Sequence, residues 1–194
     1  EPAAGWLGDA ETKPAPEPLT RIQALINTLD RESGADRLAQ PGDARPWLAA
    51  HGLLAPDQAP SADDLATIRA VREALRAMVV HNAGGPAPTA ADLAPLHRIA
   101  ETATARARVD ADGTVRVEPV ADVPAGRLLS LLLAVGEAQR DGTWRHLKAC
   151  GNEDCRWAFY DRSRNHGGTW CDMATCGNKL KNREFRARRN RATR

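Results

Sequence analysis

Apolar residues recur at helical spacing from Leu19 onward. Leu19, Ile22, Ile26 and Leu29 mark a first amphipathic helix over Leu19–Asp30, stopped near Gly34. Pro46 to Leu54 reads as a short second helix with Pro46 in its first turn and Trp47, Leu48 and Leu54 buried. Ser61-Ala-Asp-Asp64 has the form of a helix-capping signature. The stripe Leu65, Ile68, Val71, Leu75 and Val79 then runs toward His81, and Gly84-Gly-Pro86 ends it. Thr89-Ala-Ala-Asp92 repeats the start signal for a fourth helix carrying Leu93, Leu96 and Ala100, interrupted by Pro95 or beginning close to it. The period then changes to two: Arg106–Val109 and Val115–Val117 flank Asp110-Ala-Asp-Gly113, which predicts a β-hairpin with Gly113 at a positive-φ position. Pro124 starts a fifth helix. Leu128, Leu129, Leu131, Leu132, Leu133 and Val135 make it apolar on most of its circumference, as suits the middle of a bundle.

The expected fold is therefore mainly α with a small β component: a helical portion containing a hairpin over 19–142, then a small cysteine-bearing module over 143–194. Residues 1–18, with four prolines and only Trp6 and Leu7 as apolar anchors, predict a loosely ordered lead-in.

Charge separates the two portions. The net charge of +2 conceals a basic C-terminal stretch, which from Thr143 carries 13 Lys and Arg against 5 Asp and Glu; residues 1–142 carry 14 against 20. Such asymmetry points to a polyanion partner for the basic part alone. No apolar run approaches the length of a membrane span, so the expected location is the cytoplasm, with no membrane partner.

All four cysteines fall in that stretch, as two C-x4-C pairs, Cys150/Cys155 and Cys171/Cys176, separated by fifteen residues. Two short cysteine loops joined by a hairpin-sized insert can bring four thiolates to the corners of one tetrahedron, the closed coordination of a structural zinc ion. Two disulfides are the rival reading, which needs an oxidising compartment, and no secretory h-region precedes the first helix. Unpaired thiols are the third.

The residues around the cysteines are more specific than the spacing. Cys150-Gly-Asn-Glu-Asp-Cys155-Arg-Trp-Ala-Phe-Tyr-Asp161-Arg-Ser-Arg-Asn165, followed by Trp170-Cys-Asp-Met-Ala-Thr-Cys176-Gly-Asn-Lys179, closely resembles the CGNR-type zinc finger of bacterial proteins. Lys179 stands where that family's name has arginine, which keeps the charge but loses the planar fork. Residues from about Pro18 through Arg140 resemble the ABATE domain that accompanies such fingers, through Asn27-Thr-Leu-Asp30, Trp47-Leu48 and Gly52-Leu-Leu54. The resemblance implies a bacterial, stress-related transcription regulator with a helical N-terminal domain and a DNA-binding finger, associated with the nucleoid.

Chemistry independent of the family points the same way. Beyond Cys176 the chain has helical composition, with Leu180 and Phe185 placed to face the finger. Lys179, Lys181, Arg183, Arg186, Arg188 and Arg189 can fan toward solvent as phosphate contacts, and Asn178 stands at the start. Alternatively these are a solvated helix end favoured by the dipole. In the insert, Arg164 is the candidate contact, whereas Asp161, Ser163 and Asn165 also suit turn chemistry. Trp157, Phe159 and Tyr160 read as the small core of the finger or as stacking platforms for bases. Asn27, Thr28 and Asp30 read either as lining an effector pocket, bounded by the first helix and by Leu129 to Leu133, or as ordinary polar positions.

Two other classes of function stay open. A zinc module can bind RNA or protein instead of duplex DNA. Asn165-His166 also invites comparison with His-Asn-His nucleases, but the further His or acid expected at the start of the next helix is absent from Gly177-Asn178-Lys179, so no catalytic residue is assigned. A twofold operator would call for a homodimer.

Overall fold

The structure, a computed structural model, describes residues 6–179. Five helices, α1 (Leu19–Ile26), α2 (Pro41–Ala50), α3 (Ala62–Asn82), α4 (Ala90–Thr102) and α5 (Pro124–Arg140), are joined by two antiparallel hairpins. The first pairs β1 (Ala105–Val109) with β2 (Val115–Pro119), and the second pairs β3 (Leu147–Ala149) with β4 (Ala158–Tyr160). The arrangement matches the expected α-rich class with a small β component and a C-terminal four-cysteine finger. The expected helix beyond Lys179 lies outside the described residues.

Local chemistry fixes the best-read elements. Ser61 Oγ accepts from the Asp64 amide at 3.0 Å while the Asp64 carboxylate accepts from the Ser61 amide at 2.9 Å; Thr89 and Asp92 repeat this reciprocal cap on α4. Each cap is worth about 1 kcal/mol. The whole predicted stripe of α3 is buried. Gly113 turns the first hairpin at φ 83°, a value that disfavours other residues, and its amide donates to the Asp110 carbonyl.

Four expectations about the helices are corrected. First, α1 ends at Ile26 instead of running to Asp30: Thr28 Oγ1 donates back to the Leu25 carbonyl at 2.8 Å, and Leu29 leaves the helix to form a bridge with Asp36. Second, α2 begins at Pro41, leaving Pro46 inside the helix, where it removes the bond to the Gly42 carbonyl without stopping the run; Ala44, Trp47 and Leu48 form its buried face. Third, α4 continues through Pro95 and buries Leu96 and Ile99, leaving Ala100 exposed. Fourth, α5 buries Leu128, Leu129, Leu131, Val135 and Ala138 but leaves Leu132 and Leu133 half-buried, so it is not enclosed on all sides.

One hydrophobic core serves the whole described chain. Leu147, Ala149, Ala158 and Tyr160 of the second hairpin join the cluster of Leu19, Ile22, Leu25 and Ile26 from α1 and the stripe of α3. Residues 6–18 are also tied in, in place of the loose lead-in expected. Ala15 is buried, its amide donates to Gln23 Oε1 at 2.6 Å, and the Lys13 carbonyl accepts from the Tyr160 amide at 3.0 Å, so the segment runs beside β4.

Candidate metal centre

The second hairpin positions the cysteines. Cys150 leaves β3 with its amide still donating to the Trp157 carbonyl at 2.8 Å, so the first cysteine loop closes over a short extension of the sheet. Within that loop the Asn152 carbonyl accepts from the amides of Cys155 and Arg156, turning the chain back toward β4. Gly151 is the joint between the two loops. Its amide donates to the Thr169 carbonyl at 2.8 Å, and a Cβ there would stand 2.9 Å from both Thr169 Cγ2 and the Trp170 ring. After Cys171, Asp172 caps a short π-helical turn, Met173–Gly177, by accepting from the Ala174 and Thr175 amides at 2.5 and 3.0 Å. That turn brings Cys176 inward.

The four sulfurs all lie within 4.8 Å of one another, with Cys155 to Cys171 at 3.7 Å and Cys171 to Cys176 at 3.8 Å. A zinc ion with bonds of about 2.3 Å to four sulfurs sets them about 3.8 Å apart, so the residues present fit the metal. No disulfide links them. Electrostatics agree. Hydrogen bonds from the Cys155 and Cys171 thiols draw the Cys150 thiol down to about 2; as a donor, Cys155 is pushed up to about 12, and Cys171, donating to both others, is also pushed up. A dication set among these sulfurs would favour the thiolate form of its ligands. Asn152 Nδ2 approaches Cys176 Sγ at 3.8 Å as an outer contact. These features define a single structural zinc site, made of Cys150, Cys155, Cys171 and Cys176.

The insert between the pairs is organised by Asp161, which is buried. Its carboxylate accepts from Lys148 Nζ at 2.8 Å, Ser163 Oγ at 2.7 Å and the Gly168 amide at 2.7 Å. Burial works to raise this carboxyl, but Lys148, Ser163 and Gly168 outweigh it and hold it well below the usual carboxylate range. Arg164, at the tip of this loop, is exposed and has no partner among the described residues. The His166 ring stacks on His146 with centroids 3.8 Å apart, and among the described residues only the four cysteines cluster with metal-binding geometry. Phe159 is fully buried and Tyr160 nearly so, as core residues; Trp157 is half-buried, and its Nε1 donates to Glu11 Oε2 at 3.0 Å.

Asn27 turns out to hold the finger. Its Nδ2 donates to the Ala158 carbonyl at 2.9 Å and its Oδ1 accepts from the Ala158 amide at 2.7 Å, the pair of bonds that a neighbouring strand would make. Gln23 adds a second bond to the same carbonyl at 3.1 Å, and Arg76, buried in α3, donates to the carbonyls of Ile26 and Arg156. Glu11 accepts from both Asn27 and Trp157. Sequence reasoning missed Glu11, Gln23, Arg72 and Arg76. Arg72 and Arg76, one turn apart beside the α3 stripe with Glu73 between them, were the available signal: all three join in ion pairs, and Arg72 also grips Asp36.

Of the candidate pocket residues, Asn27 and Asp30 separate. Asn27 borders a cavity of about 170 Å³ shared with Trp6, Arg37, Trp47 and His51, which no residue of α5 lines. Asp30, whose carboxylate accepts from the amides of Glu32 and Ser33, lines a cleft of about 300 Å³ beside Trp157, Cys155 and Cys171. Glu11 lines both. Asn178 and Lys179 are exposed in helical backbone directly after the π turn, and Lys179 Nζ is paired with Glu32. Lys181, Arg183, Arg186, Arg188 and Arg189 lie outside the described residues.

A helical bundle with a four-cysteine zinc finger seated on its first and third helices is thus the class of protein at hand. Residues 19–139 match the ABATE family, described as "Putative stress-induced transcription regulator", and residues 146–189 match the CGNR zinc finger. With the first match covering more than half of its length, the chain belongs to the ABATE family and carries the CGNR finger C-terminal to that domain. Neither family is an enzyme family. No curated protein matches the chain. Among the described residues no helix is long and apolar enough to cross a membrane.

Proposed function

We propose that the chain is a zinc-dependent, DNA-binding transcription regulator without catalytic activity, in which the finger contacts DNA and the helical portion senses a small molecule or assembles the protein. The observation that carries this reading is the exit from the metal centre. The chain leaves Cys176 in helical backbone, and from Lys179 onward it holds eight Lys and Arg against one acidic residue, Glu184. A basic segment of that charge, tethered at the metal centre, would be suited to lie in a groove or along phosphates, with Arg164 reaching from the insert. Its contacts would be Asn178, Lys179, Lys181, Arg183, Arg186, Arg188 and Arg189, and such a protein would reside with the nucleoid.

The zinc crosslinks the two cysteine loops; the rest is done by the chain. Asn27 and Gln23 fix β4, Asp161 sets the loop that presents Arg164, and Glu32 engages Lys179. The test is binding of the full chain to genomic promoter fragments as a function of salt. Neutralising about five to seven phosphates gives a slope of log affinity on log salt of roughly −4.5 to −6. Arg183→Ala, Arg186→Ala and Arg188→Ala should each make it shallower by about 0.9, one phosphate fewer being neutralised in each case. Glu32→Gln frees Lys179 and should tighten binding by a small factor, on the order of two. A triple variant that keeps its zinc and binds with unchanged affinity and salt slope would remove the finger as the DNA reader. Preference for single-stranded RNA in competition would replace DNA as the partner.

A further inference from the structure

The four sulfurs of the metal centre are not equally sheltered. Cys150, at the end of β3, is fully buried, and Cys176, within the π turn, is 3% exposed. Cys155 and Cys171 are half-buried and line the cleft of about 300 Å³ beside Trp157; Cys176 borders it too but stays buried. That cleft is far larger than the space one ion takes between the sulfurs, so it opens Cys155 and Cys171 to small molecules from outside. The two come from different loops, yet their sulfurs are 3.7 Å apart. A disulfide needs about 2.05 Å between sulfurs, so a closure of about 1.7 Å shared by two side chains would join them. The cleft also carries charge. Glu11, Asp30, Glu32 and Asp172 line it, and Lys179, the cation among its lining residues, is paired with Glu32. Four thiolates around a dication add two further negative charges. Such a wall repels anions and admits neutral or cationic reagents.

We infer that Cys155 and Cys171 are a reversible modification site, a thiolate pair that hydrogen peroxide joins as a disulfide and that thereby lets go of the metal. One thiolate of the pair attacks a peroxide oxygen: the S–O bond forms, the O–O bond breaks, and the leaving hydroxide takes a proton from solvent to become water. That sulfur, oxidised by two electrons, is now a sulfenic acid. The other thiolate attacks it, the S–S bond forms, and a second hydroxide leaves and takes a second proton. Two thiolates, one peroxide and two protons have become one disulfide and two waters. The resolving sulfur stands 3.7 Å away, which favours the disulfide over further oxidation of the first. Cys150 and Cys176 remain as two ligands where a closed site uses four, too few to hold the ion tightly. Cys176 then loses its anchor, and with it the turn from which Lys179 and the basic segment leave. The bonds of Asn27 and Gln23 to Ala158 involve neither cysteine and persist. Oxidation thus slackens the exit while the helical core stays whole, and a dithiol reductant with zinc restores it. The proposal goes beyond the DNA reading and does not rest on it.

The experiment treats the zinc-loaded full chain with hydrogen peroxide, without DNA. Released zinc is followed with a chromophoric chelator while acid-quenched, alkylated samples are mapped by mass spectrometry. One zinc should be released per disulfide formed, the first disulfide should join Cys155 to Cys171, and Cys150 and Cys176 should be found alkylated. The circular dichroism of the helices should change little, and reductant with zinc should reverse the oxidation. Charge selection is read from two disulfide probes at low salt. Relative to their rates with 2-mercaptoethanol, cationic cystamine should release zinc at least about tenfold faster than anionic glutathione disulfide, and the ratio should shrink as salt is raised. Asp30→Asn combined with Glu32→Gln should shrink it too, with the peroxide product unchanged. A first disulfide that leaves out Cys155 or Cys171, zinc released without a disulfide, or zinc retained in a large excess of peroxide overturns the proposal. So do equal rates with the two probes, or a ratio that the carboxylate variants leave unmoved.

Discussion

Replacing Asn27 by alanine tests how the finger is held. Asn27 is 2% exposed and Ala158 fully buried, so water does not readily take the place of the missing amide. The Ala158 carbonyl keeps Gln23 Nε2, and Glu11 keeps Trp157 Nε1, but no other partner for the Ala158 amide is seen once Asn27 Oδ1 is removed. An orphaned buried donor costs about 1–3 kcal/mol, and the missing bond to the Glu11 carboxylate adds about 1 kcal/mol, for a total near 3 kcal/mol. With a urea dependence of about 2 kcal/mol per molar, the unfolding midpoint should fall by about 1.5 M. Asn27→Asp is the sharper variant because it is nearly isosteric. It keeps an acceptor for the Ala158 amide, yet it sets an oxygen against the Ala158 carbonyl at 2.9 Å and against Glu11 Oε2 at 3.0 Å. At neutral pH it should cost at least as much as alanine, with partial recovery in mild acid as the introduced carboxyl takes a proton. Measured with zinc in excess, a midpoint shift under about 0.3 M for both variants would refute the reasoning.

The metal and pH readings can be checked with simple assays. Elemental analysis should return one zinc per chain, and Cys155→Ser or Cys176→Ser should lower zinc affinity by orders of magnitude and remove hydrogen-exchange protection around the two cysteine loops before it disappears from α3. Because the Asp161 carboxyl is held below its ordinary value, its contribution to stability is complete above about pH 4 and is lost as pH falls through the lowered value. Asp161→Asn should therefore lower the urea midpoint at neutral pH and flatten its fall below about pH 4; curves that run parallel to wild type at every pH contradict this.

What was legible in the sequence was what is decided locally. Ser61 with Asp64, Thr89 with Asp92, the turn at Gly113 and the cysteine spacing each place their partners within a few residues, or within one module, and each was found where expected. The misread helix start at Pro46 has a local cause too, since a proline is as consistent with a first turn as with a tolerated interior position, and Pro41 offered the same signal. The lead-in and Asn27 were opaque for a different reason. Glu11 meets Trp157 and Asn27 meets Ala158 across more than a hundred residues, and neither periodicity nor composition records such a pairing.

The bond between Asn27 and Ala158 has a consequence for how this architecture varies through descent. The amide of Asn27 reads the main chain at position 158, and every residue except proline supplies that same amide and carbonyl. Drift at position 158 is limited by the space around a buried methyl group, while drift at position 27 is limited by hydrogen bonding. The two sites are coupled in energy but answer to unrelated rules of substitution. A comparison of relatives that looks for compensating pairs of changes will pass over the joint between helix and finger, because one side of it is written in backbone.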